Sequence, residues 1–207
     1  MLVAEIEPPK LVRPPKVKAI PDSLVYEIID GRKLYYKGYK DVLSKKKKIE
    51  DIMGASGLQS FIIQYILEIL YIKVGRKNYH FLTNEVGSHL SNRTNLSGDI
   101  HIFEKESLPA NKINVNYIDI PPKVAIEIDI RIDLSDEKDF DYTFTKTQKL
   151  LDFGVEKVIW IFSKMHKVII ATKEEDWIVK DWNKDIELID GQLFNIGEYL
   201  KKEGIEA

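Results

Sequence analysis

Two short apolar segments with acidic residues at alternate positions constrain the fold of this chain most. In SGDIHIF, Asp99 and His101 point to one face of a predicted β-strand, and the intervening isoleucines point to the other. In VAIEIDI, Glu127 and Asp129 share a face in the same way. The isoleucines predict one buried face for both strands. The acidic face lies either on the wet side of an antiparallel sheet or on a covered side, where carboxylates need partners.

A third segment, FTKTQKLLDFGVEKVIWIF, predicts a helix, a turn at Gly154 and another apolar strand. Lys146 lies one turn before Leu150 and two turns before Phe153, beside the inward stripe of that helix. The helix and strand supply enough apolar surface to cover both sheet faces, which favours a covered acidic face with Lys146 as its partner. Two acids can hold a divalent cation, and a nearby ammonium can stabilise an oxyanion. Metal-assisted phosphodiester hydrolysis is therefore one interpretation, and spacing alone leaves the wet-face interpretation open.

The remaining pattern predicts an α/β or α+β domain with helices on the faces of a sheet. SLVYEIIDGRKLYYKG predicts a β-hairpin that turns at Asp30-Gly31. KDVLSKKKKIEDIM predicts one short amphipathic helix over 40–53, and SFIIQYILEILYIKVG predicts a substantially buried helix. NYHFLT predicts a strand, followed by a loop near 86–96. KVIWIF, KVIIAT and DWIVKDW predict successive final strands, with a hairpin at 164–167.

Composition bounds the possible architectures and sites. Paired prolines near the start predict an extended arm over 1–22, and residues 23–207 are expected to form one domain. The absence of cysteine excludes disulfides and catalytic thiols, and the four histidines lack zinc-binding spacing. No stretch resembles a signal peptide or approaches transmembrane length, so we expect a soluble cytoplasmic protein with no membrane partner.

The charge balance gives no global signal for nucleic-acid binding. Thirty-one basic and 33 acidic residues leave a net charge of −2, which still permits a local basic groove. The lysine run 45–48 has two interpretations: contacts to DNA phosphates, or a solvated helix face. Four lysines without interleaved aromatic residues are commoner on solvated surfaces.

The order and spacing of these segments resemble the Uma-type (DUF820-like) restriction endonuclease family of the PD-(D/E)XK nuclease superfamily. The resemblance rests on YEIIDG, the apolar helix, the GDI and IEI strands, and K-x7-GV-x4-W from Lys146 to Trp160. It extends from about Ser23 to near the C-terminus. It implies a restriction-endonuclease-like α/β fold, with a mixed central sheet flanked by helices and an N-terminal β-hairpin.

The resemblance also implies roles for individual residues. Asp99 takes the place of the first acid and Glu127 that of the second. Lys146 takes the lysine's role from the helix, because Asp129 stands where E-x-K would place that lysine. Asp99 and Glu127 would bind Mg²⁺, for which Mn²⁺ can substitute, and Asp129 would either add a metal ligand or pair with Lys146. The implied protein is a Mg²⁺-dependent DNA endonuclease without an organic cofactor, and cutting two strands implies a homodimer.

Three positions depart from the family pattern. Gly98 replaces the usual proline before the first acid, Asp129 replaces a serine, and Gln59-Ser60 stands where a histidine is common. We expect the Gly98 change to be harmless, because that proline shapes the strand and ligates nothing. The alternative function is an inactive nuclease-fold module that binds DNA or a protein partner. A small-molecule hydrolase using the same site has nothing specific in its favour.

Overall fold

A computed structural model describes residues 19–134 and 139–206, so the predicted arm over 1–22 lies mostly outside the described residues. The described strands are β1 (Val25–Ile29), β2 (Arg32–Tyr35), β3 (Tyr79–Ser91), β4 (Thr94–Glu104), β5 (Val124–Ile128), β6 (Lys157–Phe162), β7 (Lys167–Thr172), β8 (Ile178–Asp181), β9 (Ile186–Ile189) and β10 (Gln192–Phe194). The described α-helices are α1 (Tyr39–Leu43), α2 (Glu50–Met53), α3 (Gly57–Ile69), α4 (Asp139–Phe153) and α5 (Ile196–Lys202).

The central sheet is mixed, as predicted. Its strand order is β2-β1-β4-β5-β6-β7-β8, with β3 also paired to β4. β5 and β6 are parallel and are connected through α4, whereas the other neighbouring pairs are antiparallel. β3 occupies one edge of β4 along its length, so β1 and β5 share the other edge, at Asn95 and at 100–102. The sheet therefore forks between β1 and β5, opposite residues 96–99 of β4.

Both faces of this sheet are covered. On one face, α3, the β9–β10 hairpin and α5 enclose a core that includes Ile62, Ile66, Ile100, Ile126, Leu188 and Leu200. On the other, α4 and the β1–β2 hairpin enclose a second core that includes Tyr26, Leu34, Tyr142, Leu150 and Trp160. Asp99 and Glu127 are consequently buried. The covered-face interpretation of the acidic residues is confirmed, and the wet-face interpretation is wrong.

The β1–β2 hairpin is confirmed, and its turn residues Asp30 and Gly31 have φ values of 52° and 84°. The single helix predicted over 40–53 is wrong, because α1 and α2 are separated by a turn in which Lys45 has a φ of 61°. On a continuous helix Lys45 and Lys48, which are three residues apart, would share a face and repel each other, which disfavours that helix. The lysine run 45–48 lies in this exposed turn.

The loop predicted near 86–96 is also wrong. β3 continues to Ser91 and pairs with β4 almost throughout. Asn84 and Glu85 have positive φ values, and the register shifts between Thr83 and Val86. Such a bulge changes which residues face the core, so the alternation that marks a strand is lost in the sequence.

The apolar helix is less buried than predicted. α3 continues into a π-helical turn, Leu70–Val74, and buries one side through Ile62, Ile66 and Ile69. Among the described residues, the segment Gly57–Val74 alone is long and apolar enough to cross a membrane, contrary to the expectation that no stretch approaches that length. Length and composition do not distinguish such a span from a core helix, and the buried side of this helix packs in the core of the domain.

The three predicted final strands and their 164–167 hairpin are confirmed as β6, β7 and β8. The chain then continues beyond the predicted elements. β9 and β10 form a hairpin that turns at Asp190-Gly191, where both φ values are positive. The side chain of Asn195 then caps α5 by accepting a hydrogen bond from the Glu198 N–H. The Asp-Gly signal that identified the first hairpin is thus repeated in the second.

Candidate active site

The fork in the sheet is where the predicted site residues meet. The register that pairs Ile100 with Ile126 places Asp99 opposite Glu127 when carried one residue further. Lys146 reaches the same region from α4, the helix that covers this face. The residue exposures are 5% for Asp99, 3% for Glu127 and 1% for Lys146. Residues that are distant in sequence are therefore enclosed together.

Lys146 is held by two carboxylates and one main-chain oxygen. Its Nζ lies 2.9 Å from Glu127 Oε2 and 2.8 Å from Glu27 Oε1. It also donates a hydrogen bond of 2.7 Å to the carbonyl oxygen of Ser97, in the fork of β4. The ammonium also lies over the indole ring of Trp160, with 5.5 Å between Nζ and the ring centroid. Every hydrogen of the ammonium can therefore be satisfied.

Sequence reasoning missed Glu27. This β1 residue is 2% exposed and accepts hydrogen bonds from Lys146, from the Ser97 N–H at 3.0 Å and from the Tyr142 hydroxyl at 2.7 Å. Its signal was present in YEIIDG, which is another apolar strand interrupted by an acid. That segment predicted only a hairpin strand, although the same pattern had identified Asp99 and Glu127.

Hydrogen bonds from β5 and from α3 orient the carboxylate of Asp99. Its Oδ2 accepts a hydrogen bond of 2.7 Å from the Ile128 N–H, and its Oδ1 accepts one of 3.1 Å from the Gln59 side-chain amide. Gln59 also donates to the Ile128 carbonyl at 3.0 Å. The glutamine that stands where the resembling family often carries histidine thus contacts the first acid of the site.

Asp129 has a different environment from the one predicted. β5 ends at Ile128, and Asp129 has a φ of 58°, so the alternation that placed it beside Glu127 does not reach it. Its two carboxylate oxygens accept hydrogen bonds from the Ser163 N–H at 2.8 Å and the Ser163 hydroxyl at 2.7 Å. The carboxylates that pair with Lys146 are Glu27 and Glu127. A metal-binding role for Asp129 stays a prediction.

Gly98 has a packing role next to Asp99. A Cβ atom added to Gly98 would lie 2.1 Å from Nε2 of His101, whose side chain fills that space. His101 is 1% exposed, and burial, together with the charge of Lys146, lowers its pKa to about 3. The ring is therefore neutral, and it occupies the place that a larger residue at 98 would need. The departure from proline at this position coincides with a buried histidine three residues later.

The cluster holds three acidic side chains and one basic side chain. Burial raises the pKa of Glu127 to about 8; Lys146 opposes this shift, while Asp99 and Glu27 add to it. Burial also raises the pKa of Asp99, against the hydrogen bond from Ile128. Burial by itself would lower the pKa of Lys146, but Glu127 and Glu27 together outweigh it and raise that pKa. The ammonium therefore stays charged among three carboxyl groups.

One oxygen of the cluster is unused. Oε1 of Glu127 is buried and has no hydrogen-bond partner in the described part of the chain. No group of three or more metal-ligating side chains is assembled within residues 19–134 and 139–206. Mg²⁺ is commonly held by one or two carboxylates, with water and substrate oxygens completing its coordination. Asp99 and Glu127 match that minimal donor set.

Comparisons with known proteins were informative at the level of the fold. No family model matches the chain, and no curated protein matches it significantly. Among solved structures, the chain is similar to a DUF820 protein from Anabaena variabilis ATCC 29413 that is described as a "putative nuclease". The TM-score is 0.63 at 15% sequence identity, over 84% of this chain and 89% of the other. At this identity the likeness shows a shared fold, which confirms the predicted architecture.

Proposed function

We propose that this protein is a nuclease that hydrolyses DNA phosphodiester bonds with a Mg²⁺ ion held by Asp99 and Glu127. The observation that carries the proposal is Oε1 of Glu127, a buried oxygen without a partner among the described residues. It belongs to a cluster of three carboxyl groups and one ammonium, in which a cation would supply further positive charge. The similarity in fold to a DUF820 protein described as a "putative nuclease" adds support.

Each side chain of the site would have a separate role in the proposed reaction. A bound Mg²⁺ would neutralise phosphate charge and lower the pKa of a coordinated water. Asp99 is fixed by Ile128 and Gln59 before any cation arrives. Lys146 would stabilise the negative charge that develops on the phosphoryl oxygens. Asp129, whose two oxygens accept hydrogen bonds from Ser163, would join as a third ligand.

We propose that a substrate approaches the cluster from a cavity on the β1 side. Glu27 lines a surface cavity of about 340 Å³ together with Tyr26, Lys33, Asn95 and Tyr117. Asp99, Glu127 and Lys146 lie deeper and are at most 5% exposed. A DNA phosphate therefore has to enter along this cavity or displace a covering segment. The proposed enzyme acts as a homodimer, because a duplex has two strands to cut.

The test combines cleavage with metal binding. We expect the wild-type protein to cleave supercoiled DNA with Mg²⁺ or Mn²⁺ and not with a chelator. Asp99→Asn and Glu127→Gln should lose activity and calorimetric Mn²⁺ binding, whereas Lys146→Met should lose about 10²–10³-fold in rate but retain Mn²⁺ binding. Glu156→Gln, which changes an exposed acid in the same way, is the matched control. Cleavage that survives in Glu127→Gln would identify a contaminating enzyme.

A second candidate function is a catalytically inactive module with the same fold, binding DNA or a protein. It is favoured by the complete pairing of Lys146, whose ammonium already contacts Glu27, Glu127 and the Ser97 carbonyl. The exposed lysine turn 45–48 would then be a contact surface. Absence of both cleavage and Mn²⁺ binding would support this function over the first.

A further inference from the structure

We propose that Glu27 is a positioning residue that holds Lys146 in the site independently of Glu127. The proposal deepens the proposed nuclease function and rests on it for its catalytic consequence. Glu27 belongs to β1 and Glu127 to β5, so the ammonium is held from both sides of the fork. Loss of one carboxylate contact leaves the other in place.

The carboxylate of Glu27 is itself fixed. Its Oε1 accepts hydrogen bonds from Lys146 and from the Ser97 N–H, and its Oε2 accepts one from the Tyr142 hydroxyl. Its side chain is 0% exposed. The donors come from α4 and from β4, so the two elements that pack against β1 orient the group. A buried carboxylate with both oxygens bonded has a defined position and little freedom to move.

Glu127 differs from Glu27 in this respect. Its Oε2 contacts Lys146, while its Oε1 has no partner among the described residues. A cation that used Glu127 would compete with the ammonium for this carboxylate. If Glu127 were the sole counter-charge, the buried ammonium would be left unpaired, which is strongly unfavourable. Because Glu27 also pairs with Lys146, Glu127 can bind a cation while Lys146 remains charged and in place.

The hydrogen bonds of Glu27 also distinguish it from a metal ligand. Ser97, Tyr142 and Lys146 each direct a donor hydrogen at its oxygens. These three donors fill three of the roughly four lone-pair sites of the carboxylate, whereas Asp99 accepts only two hydrogen bonds, so Glu27 has less capacity left for a cation. Glu27 therefore acts through Lys146.

The first test measures the reactivity of Lys146 in the metal-free, full-length protein. Competitive labelling with acetic anhydride reports how free and accessible each lysine amine is, with Lys149 on the same helix as the internal standard. In Glu27→Gln we expect Lys146, which is 1% exposed in the wild-type protein, to be labelled about tenfold faster, because its ammonium loses one of the two carboxylates that hold it. Labelling at the wild-type rate would overturn the proposal.

Tyr142→Phe is the matched control, because it removes a hydrogen bond to the same carboxylate and no charge. It should leave the labelling of Lys146 near the wild-type rate, and a rise equal to that of Glu27→Gln would indicate general loosening and overturn the proposal. If Glu27→Gln does not fold, Glu27→Asp takes its place; it keeps the charge but moves the oxygens away from Lys146, so a smaller rise in labelling is expected, and labelling at the wild-type rate would overturn the proposal.

The second test uses the wild-type protein with Mn²⁺ alone. When Mn²⁺ binds, Lys146 should stay protected from labelling, since Glu27 still holds it. A rise in labelling on Mn²⁺ binding would overturn the proposal. Absence of Mn²⁺ binding in calorimetry would contradict the nuclease function instead, and the metal-free labelling would still decide the role of Glu27.

Discussion

Two buried acids of the site accept a hydrogen bond from a main-chain N–H: Asp99 from Ile128, and Glu27 from Ser97. These acids therefore complete the hydrogen bonding of the backbone as well as carrying charge. Removing either one leaves an N–H without a partner in a buried region, which costs about 1–3 kcal/mol. A substitution at Asp99 or Glu27 will consequently change both the stability of the protein and the chemistry of the site. Isosteric replacements, which keep the size of the side chain, separate the two effects best.

Asp129 provides a test that separates a structural role from metal binding. Asp129→Ala loses two hydrogen bonds from Ser163 and places alanine at a φ of 58°. We expect its free energy of unfolding to fall by about 2–4 kcal/mol, as measured by urea denaturation. Asp129→Asn should lose less, because asparagine tolerates positive φ and retains an oxygen. Mn²⁺ affinity should be unchanged in both folded variants, and a parallel tenfold loss would establish Asp129 as a ligand.

Gly98 and His101 should be energetically coupled. The Cβ of Gly98→Ala would lie 2.1 Å from the buried His101 ring, so we expect a loss of about 1–3 kcal/mol in the free energy of unfolding. In His101→Ala the ring is absent, and the same glycine substitution should cost little. A double-mutant cycle in urea measures the difference, and additive effects would contradict the close packing inferred for this pair.

Sequence patterns could identify Asp99, Glu127 and Lys146 because acids inside apolar strands and a lysine beside an inward stripe are visible without coordinates. They could not place Asp129, because its positive φ ends the alternation on which the inference depended. Glu27 was missed although it carries the same pattern. Only the fork in the sheet, which depends on long-range pairing, shows that β1 reaches the two other acidic strands.

Among the structural elements, the β1–β2 hairpin is the one that brings Glu27 to the site. Its turn uses positive φ values at Asp30 and Gly31, and the Gly31 N–H donates to the Arg93 carbonyl in the β3–β4 turn. This hydrogen bond connects the turn of the β1–β2 hairpin to the turn of the β3–β4 hairpin. Hairpin elements with an Asp-Gly signal were predictable, whereas the bulged β3 and the broken α1–α2 region depend on local backbone geometry that periodicity does not encode.

A pair of glycine substitutions tests this element. Gly31→Ala places a Cβ at a φ of 84° and 3.0 Å from the Arg93 guanidinium, whereas Gly191→Ala in the β9–β10 turn has a φ of 70° and open space. Both should lower the free energy of unfolding by about 1–2 kcal/mol from backbone strain, with the larger loss at Gly31. Thermal and urea denaturation measure this difference, and Mn²⁺ affinity should be unchanged in both. A larger loss at Gly191 would contradict the contact with Arg93.

At the scale of the whole molecule, the buried cluster couples stability to pH. Burial raises the pKa of Glu127 from 4.5 to about 8. Between these values the folded protein retains a proton that the unfolded chain has released, so this group makes the free energy of unfolding fall as pH rises. Lys146, with its raised pKa, stays protonated throughout this window and contributes no slope.

We therefore expect the stability of the wild-type protein relative to Glu127→Gln to fall by about 2–4 kcal/mol between pH 5 and pH 8. Urea denaturation with a chelator present, at several pH values, measures the difference and cancels the contributions of the other groups. A difference that stays flat between pH 5 and pH 8 would mean that Lys146 keeps Glu127 ionised in the folded protein. Glu156→Gln, at an exposed position, should show no such slope.

The fork in the sheet also shows which side chains of the site the fold itself requires. Where β1 and β5 separate, side chains of Glu27, Asp99 and Lys146 bond to main-chain groups of the neighbouring strands. The fold needs these bonds whether or not the site is catalytic, because their loss would leave buried main-chain groups without partners. The presence of these acids and this lysine is therefore accounted for by stability alone, and turnover has to be measured directly.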